Sequence, residues 1–223
     1  LVVIIADRFE CLPIAIAATY MNILVAHIEG GEISGSIDES IRHAITKLSH
    51  IHFPASNEAY DRIVRMGEDP NKIFKVGSTS FDAISNLNIE SLVGVSEYLS
   101  ENGLGNVDLM KNKYLVVIQH PVTTEYGKNL KNIEETIEAI DKLCIPTVWI
   151  WPNMDAGSNA ISKGIRVYRE SIKPKHVCFI KSLSIEFYAP LLNNSACIIG
   201  NSSSGIREAG YLGVPSVNIG SRQ

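Results

Sequence analysis

The chain is expected to fold as an α/β protein of two lobes, each built on a parallel sheet. Three observations lead there. Apolar strand-like runs alternate with helix-like stretches along nearly all 223 residues, the pattern of βαβ units. The first run, Leu1-Val2-Val3-Ile4-Ile5-Ala6, is apolar without interruption, as a strand covered by helices on both faces is. The alternation then loosens once, between Asn86 and Lys113, where polar residues and Gly94, Gly103 and Gly105 break it. This divides the chain into a first lobe over 1–85, a junction over 86–113 and a second lobe over 114–223.

Taken in order, the first lobe offers strands over 1–6, 22–27, 51–55 and 72–77. Its helices are expected over 11–20, with Pro13 in the first turn, 37–49, 57–67 and 79–89. Within the junction, 91–100 can also be read as helical. The second lobe offers strands over 114–119, 147–151, 176–180, 195–199 and 215–219, with helices over 129–143, 158–170, 184–193 and 204–212. A buried strand rarely opens a protein, and Leu1 lies within one. The chain is therefore read as an internal fragment lacking an N-terminal part of the fold, with no signal-peptide pattern.

Composition narrows the function. A formal charge of −4 and a hydrophobic fraction of 45% describe a globular chain without the basic footprint that nucleic acid requires. No apolar run approaches the ~20 residues of a membrane helix. Cys11, Cys144, Cys178 and Cys197 are scattered, with no C-x-x-C; reduced, mostly buried thiols in a cytoplasmic protein are expected. His43, His50 and His52 form no convincing ligand cluster, so neither a catalytic metal nor a cofactor is expected.

The stretch His27 to His43 carries the strongest chemistry in the first lobe. Strand 22–27 runs into a turn with Gly30, Gly31 and Gly35, and a helix is expected to start near Ser36. Glycines permit positive φ and close approach of a ligand. On that helix Ile41, Ala44, Ile45 and Leu48 form an apolar stripe, while Asp38, Glu39, Arg42, His43 and Thr46 share the other side. A structural account also exists: Ser36-x-x-Glu39 is a capping-box pattern and Asp38/Arg42 an i,i+4 pair. Glu29, on the glycine turn, is a second carboxylate that capping does not explain.

In open parallel sheets ligands bind beyond the carboxyl ends of the strands. Asp7 and Arg8 follow the first strand, where they either meet a polar ligand or simply cap and solvate the next helix. His120 to Glu125 follow strand 114–119, and His120 there suits phosphate binding or proton transfer. Asn153 and Asp155 follow strand 147–151, able to reach a sugar or base or to form an Asx turn. Gly200-Asn201-Ser202-Ser203-Ser204-Gly205-Ile206-Arg207-Glu208 follows strand 195–199. Its hydroxyls and backbone N–H groups at a helix N-terminus favour an anion. Glu208, about one turn into that helix, is placed to accept from ribose hydroxyls. Neither a P-loop nor G-x-G-x-x-G is present, which removes support for ATP hydrolysis and dinucleotide redox chemistry.

With these residues laid out, the chain resembles the UDP-N-acetylglucosamine 2-epimerase family, its hydrolysing branch in particular. The resemblance rests on Asp7-Arg8-Phe9, His27-Ile28-Glu29-Gly30-Gly31-Glu32, Ser40 to Leu48, Gln119-His120-Pro121-Val122-Thr123-Thr124, Trp151 to Ser158, and Asn201 to Glu208 with Gly220 to Gln223. His120 to Thr124 carries the hydrolysing assignment. The resemblance implies two facing Rossmann-like domains in the glycosyltransferase-B arrangement, truncated at both ends here, with UDP held mainly by the second and the sugar in the cleft. It places Arg8, His120, Asn153, Ser202, Ser203, Glu208 and Arg222 at nucleotide-binding positions, with His43, Asp155 and Gly205 beside the substrate. It places Asp7, Glu29, Asp38 or Glu39, Arg42 and His120 around the reacting sugar.

The implied reaction removes the C2 proton as UDP leaves C1, forming a 2-acetamidoglucal that is then hydrated to N-acetylmannosamine for sialic acid synthesis. Alternative substrates are a UDP-2,4-diacetamido-trideoxy sugar of the bacillosamine type for legionaminic-type acids, or UDP-N-acetylglucosamine epimerised without hydrolysis. A glycosyltransferase of the same architecture, or a non-catalytic nucleotide-sugar sensor, are the rivals from other classes. A homo-oligomer, dimer or tetramer, is implied as well.

Overall fold

The computed structural model describes residues 1–8, 10–34, 37–123, 125 and 127–223. The chain divides into two compact units, Leu1–Phe81 and Asp82–Gln223.

The first unit holds three parallel strands, β1 (Val2–Ile5), β2 (Val25–Ile28) and β3 (Ile51–Phe53), in that spatial order. Helices α1 (Cys11–Tyr20) and α2 (Ile37–Leu48) connect them. The stripe read from the sequence packs as expected, with Ile45, Ile41 and Leu48 joining Ile4, Val25, Ala15 and Ala18 in one core. Register sets Ile4, His27 and His52 side by side across the three strands. Helix α3 (Asn57–Arg65) is capped by Ser56, whose side chain accepts from the Ala59 amide at 3.1 Å. The start near Ser36 and its capping box lie outside the described residues.

Residues 72–77 do not form the expected strand. They begin in a 3₁₀ turn (Pro70–Lys72) and touch the sheet through a single parallel bridge, His52 to Ile73. Ile73 alone turns inward while Phe74 and Val76 stay half exposed, so there is one anchored residue and no second buried row to extend the ladder. Helix α4 (Thr79–Ser85) is shorter than the expected 79–89. Ser85 Oγ and Asn86 Nδ2 both donate to the Asp82 carbonyl, at 2.9 and 2.8 Å, taking the acceptor that another turn would use.

The second unit carries five parallel strands: β4 (Leu115–Ile118), β5 (Thr147–Ile150), β6 (Val177–Ile180), β7 (Cys197–Gly200) and β8 (Ser216–Asn218). Their spatial order is β6-β5-β4-β7-β8. The chain steps outward from β4 in one direction and then returns to β4's other side. Neighbouring connections therefore diverge between β4 and β7, the switch point where such sheets take ligands.

Alternate strand residues face opposite cores. Val116, Ile118, Val148, Ile150 and Ile198 pack under α8 (Ile185–Asn193) and α9 (Glu208–Leu212). Val117, Trp149 and Phe179 pack under α6 (Asn129–Leu143) and α7 (Ser158–Val167), the latter continued by a π turn over Tyr168–Ile172. The junction over 86–113 holds the helix that 91–100 could be read as. It contains helix α5 (Val93–Asn102), because Leu92, Val95 and Leu99 form a stripe that buries against the first of these cores. Tyr98 stacks on Phe187 with ring centroids 4.4 Å apart. The thiols are free as expected but less buried: Cys178 is enclosed, whereas Cys144 is exposed at the left-handed C-cap of α6. No helix of the described residues is long and apolar enough to cross a membrane.

Gly200 ends β7 with φ +143, and a Cβ there would meet the Ile118 carbonyl oxygen at 1.8 Å. No side chain can shift to admit it, because the clash is with backbone. Gly200→Ala is expected to cost about 3 kcal/mol, the sum of a forced backbone change and overpacking, read as a lowered urea midpoint.

Candidate functional site

At the β4/β7 switch point of the second unit, five side chains close a ring of hydrogen bonds. Asn201, only 1% exposed, accepts from the His120 amide through Oδ1 at 2.6 Å and donates to the His120 carbonyl through Nδ2 at 2.9 Å. The Asn201 carbonyl accepts from Arg222 Nη1 at 3.3 Å, and Arg222 Nη2 lies 3.5 Å from Asp155 Oδ2. Asp155 in turn accepts from Asn153 Nδ2. The Asn153 amide donates to His120 Nδ1 at 3.1 Å, closing the circuit.

This geometry decides the state of His120. A ring nitrogen that accepts from a backbone N–H carries no proton, so the proton sits on Nε2 and the neutral imidazole is a donor there. Burial, with Arg222 adding to it, pushes the imidazole down to about 4, which keeps it neutral at ordinary pH. Asn153 Oδ1 is buried without a partner among the described residues, leaving an acceptor for a ligand N–H or O–H.

The serine-rich turn is built differently from the expectation. Ser203–Gly205 form a 3₁₀ turn capped by Ser202, whose Oγ accepts from the Ser204 amide at 3.3 Å. Ser204 is buried and bonded to Tyr188, so its hydroxyl serves packing. Glu208 is the first residue of α9 rather than one turn in, and that helix is only five residues long. Ser202 and Gly205 line a small cavity with Ile118, Gly200 and Asn218; Ser203 is exposed.

In the first unit, polar groups gather at the strand ends. Ala6 and Glu29, directly after β1 and β2, both take positive φ, +57 and +59. Non-glycine residues held there by ladder bonds, Ala6 N to Ile28 O and Glu29 N to Phe53 O at 2.9 Å each, are the kind of strain that collects at functional sites. Asp7 pairs with Arg42, which is 6% exposed and also donates to the Glu32 carbonyl at 2.7 Å. Thus the described ion pair of Arg42 is with Asp7, not the i,i+4 neighbour Asp38. Arg42 Nε, His43 Nδ1 and Ser34 Oγ are buried without partners among the described residues. Burial also lowers the His43 imidazole below its usual value.

Glu39 Oε2 accepts from the Ser34 amide at 3.0 Å. Glu29 is 4% exposed, and its Oε1 accepts from Ser78 Oγ at 2.9 Å and from the Thr79 amide and hydroxyl at 3.2 Å each. Its carboxylate thereby holds the start of α4. Arg8 is exposed and paired with Glu10. Asp38 is half-buried on α2. Sequence reasoning missed Ser78, Thr79 and the part played by Asn201. The only signal for Asn201 was its place at the head of the serine run. Among the described residues no three His, Cys, Asp or Glu side chains are placed to hold a metal.

Residues 1–223 match a family described as UDP-N-acetylglucosamine 2-epimerase. A UDP-N-acetylglucosamine 2-epimerase of Neisseria meningitidis is 37% identical over the whole of this chain and 56% of its own length. A UDP-N,N'-diacetylbacillosamine 2-epimerase (hydrolyzing) of Legionella pneumophila is 36% identical, also over 56% of its length. The chain thus spans about half the length of the curated relatives it matches. Among solved structures, the Methanocaldococcus jannaschii UDP-GlcNAc 2-epimerase in complex with UDP-GlcNAc and UDP superposes with a TM-score of 0.76 at 23% identity, covering 97% of this chain and 59% of that one. At that identity the likeness establishes the fold.

Proposed function

The chain belongs to the UDP-N-acetylglucosamine 2-epimerase family, and from this we propose that it serves a hydrolysing epimerase, which turns UDP-N-acetylglucosamine into N-acetylmannosamine and UDP. The observation that carries the reading is the ring around His120. A neutral imidazole with its proton on Nε2, beside the Arg222 guanidinium, offers donors suited to a diphosphate whose negative charge grows as it leaves.

The acid and base work falls to the first unit. A carboxylate there removes the proton on C2 while the C1–O bond breaks and its electron pair leaves with UDP, giving a C1=C2 double bond. Water then adds at C1, and a proton returns to C2 on the opposite face. One group is needed for each face. Asp7, held by Arg42, and Glu39 are candidates with Glu29, whose carboxylate is the most enclosed of the three. Arg42 and His43 keep unpartnered buried nitrogens that suit the oxygens of a bound sugar.

Two features favour the hydrolysing branch: the His120 to Thr124 stretch, and relatives at 36% and 33% identity whose names specify hydrolysis. Both of those act on diacetylbacillosamine nucleotides, which makes a UDP-diacetamido sugar the second reading. Proton NMR of the full chain with UDP-N-acetylglucosamine in D2O tests the proposal. Free N-acetylmannosamine carrying deuterium at C2 is the expected product. Deuterated UDP-N-acetylmannosamine with UDP attached would overturn the hydrolytic step, and absence of exchange would shift the assignment to the diacetamido sugar.

A further inference from the structure

We propose that Asn201 is the positioning residue for His120: its side-chain amide clamps both backbone groups of His120 and so holds the imidazole with Nε2–H presented to the leaving diphosphate. The proposal rests on the function above for what His120 donates to, but the clamp itself is a matter of geometry.

Several facts converge on this one side chain. The two bonds from Asn201 to His120, at 2.6 and 2.9 Å, run in opposite directions. That demands a donor and an acceptor on one short side chain, which asparagine supplies and aspartate does not. Directionality also fixes the amide orientation, since Oδ1 must face the N–H and Nδ2 the carbonyl. Asn201 is held in turn by its own amide, which donates to the Ile118 carbonyl at 3.1 Å. It therefore bridges the ends of β4 and β7 just where the topology opens a crevice.

The effect passes through backbone to ring. With both sides of its peptide pinned, His120 keeps Nδ1 at 3.1 Å from the Asn153 amide, the bond that excludes a proton from Nδ1. The Asn201 carbonyl simultaneously receives Arg222. One residue thus sets the spacing between the neutral donor and the cation. Removing the side chain leaves two enclosed backbone groups of His120 without partners and lets the imidazole sample both tautomers.

The test uses the full chain, labelled with 15N at histidine, as wild type, Asn201→Ala and Asn201→Asp. The tautomer of His120 is read from the coupling of its ring nitrogens to ring protons at pH 7.5, with His120→Gln identifying the resonance. UDP affinity is measured by calorimetry. Wild type is expected to show Nε2–H alone. Both variants are expected to show mixed tautomers and UDP affinity lowered about 10-fold or more, with urea midpoints confirming that they fold. Asn201→Asp preserves volume and the bond to the His120 amide, so it decides the matter if the alanine variant does not fold. A folded variant with Nε2–H alone would overturn the clamp, whatever its UDP affinity. If wild type binds no UDP, the proposed function fails while the tautomer measurement still decides the role of Asn201.

Discussion

Asp7→Asn is expected to lower turnover of UDP-N-acetylglucosamine by about 100- to 10,000-fold, the usual contribution of a positioned acid or base. Asp7 stands at the carboxyl end of β1, after a residue held at positive φ, and faces the buried Arg42 guanidinium. Asparagine keeps the shape and one acceptor for Arg42 but cannot take a proton. The protein should therefore stay folded while the chemistry slows, and kcat should fall more than KM rises. Glu29→Gln provides the contrast. Its Oε1 alone accepts three bonds from Ser78 and Thr79, which a glutamine carbonyl oxygen keeps in weakened form, so an amide there should cost a little stability together with turnover, a neutral oxygen being a poorer acceptor than a carboxylate. Near-normal turnover in Asp7→Asn, Glu29→Gln and Glu39→Gln alike would remove the acid–base assignment from this group.

Acid is expected to unfold the protein well above the pH at which its carboxylates titrate. In each unit burial pushes one imidazole down from 6.5 to about 4, His27 in the first and His120 in the second. His27 donates from Nε2 to the Ala6 carbonyl at 2.8 Å and lies 3.1 Å from Thr46 Oγ1. The unfolded chain takes up a proton as pH falls through 6.5, whereas the folded one resists until about 4. Stability is therefore complete above 6.5, declines between 6.5 and 4, and levels off below. A shift of that size corresponds to about 3 kcal/mol for each unit, a large share of the 5–15 kcal/mol typical of a domain. His43 and His52 are also lowered by burial and steepen the decline with the same sign. Urea unfolding at pH 7.5, 6 and 4.5 measures it. His27→Gln, though less stable at neutral pH, should show a slope smaller by about one proton; an unchanged slope would mean that His27 is not the group responsible.

Much of this architecture was legible because local pattern and final structure agree. Helices α1 and α6 begin and end where periodicity placed them, Cys11–Tyr20 and Asn129–Leu143. The parallel strands follow from uninterrupted apolar runs such as Leu115–Ile118 and Thr147–Ile150, which are buried throughout. Failures came where a segment depends on a distant partner. Residues 72–77 look like a strand but join the sheet by a single bridge, at His52. For 91–100 the sequence offered both linker and helix, and Leu92, Val95 and Leu99 meeting their core decides for helix α5.

The candidate site divides in the same way. Sequence by itself determined the βαβ plan, the family and which strand ends carry polar residues, because these depend on side-chain type and spacing along the chain. Only the tertiary structure decided what those residues touch. Arg42 takes Asp7, 35 positions away, rather than its helical neighbour. Glu29 reaches Ser78 across 49 positions and Asn201 reaches His120 across 81. A hydrogen bond is specific in distance and direction, and no periodicity encodes which remote donor the folded backbone will bring within 3 Å. The protonation state of His120, and with it the chemistry available at the β4/β7 crevice, is thus a property of the closed fold.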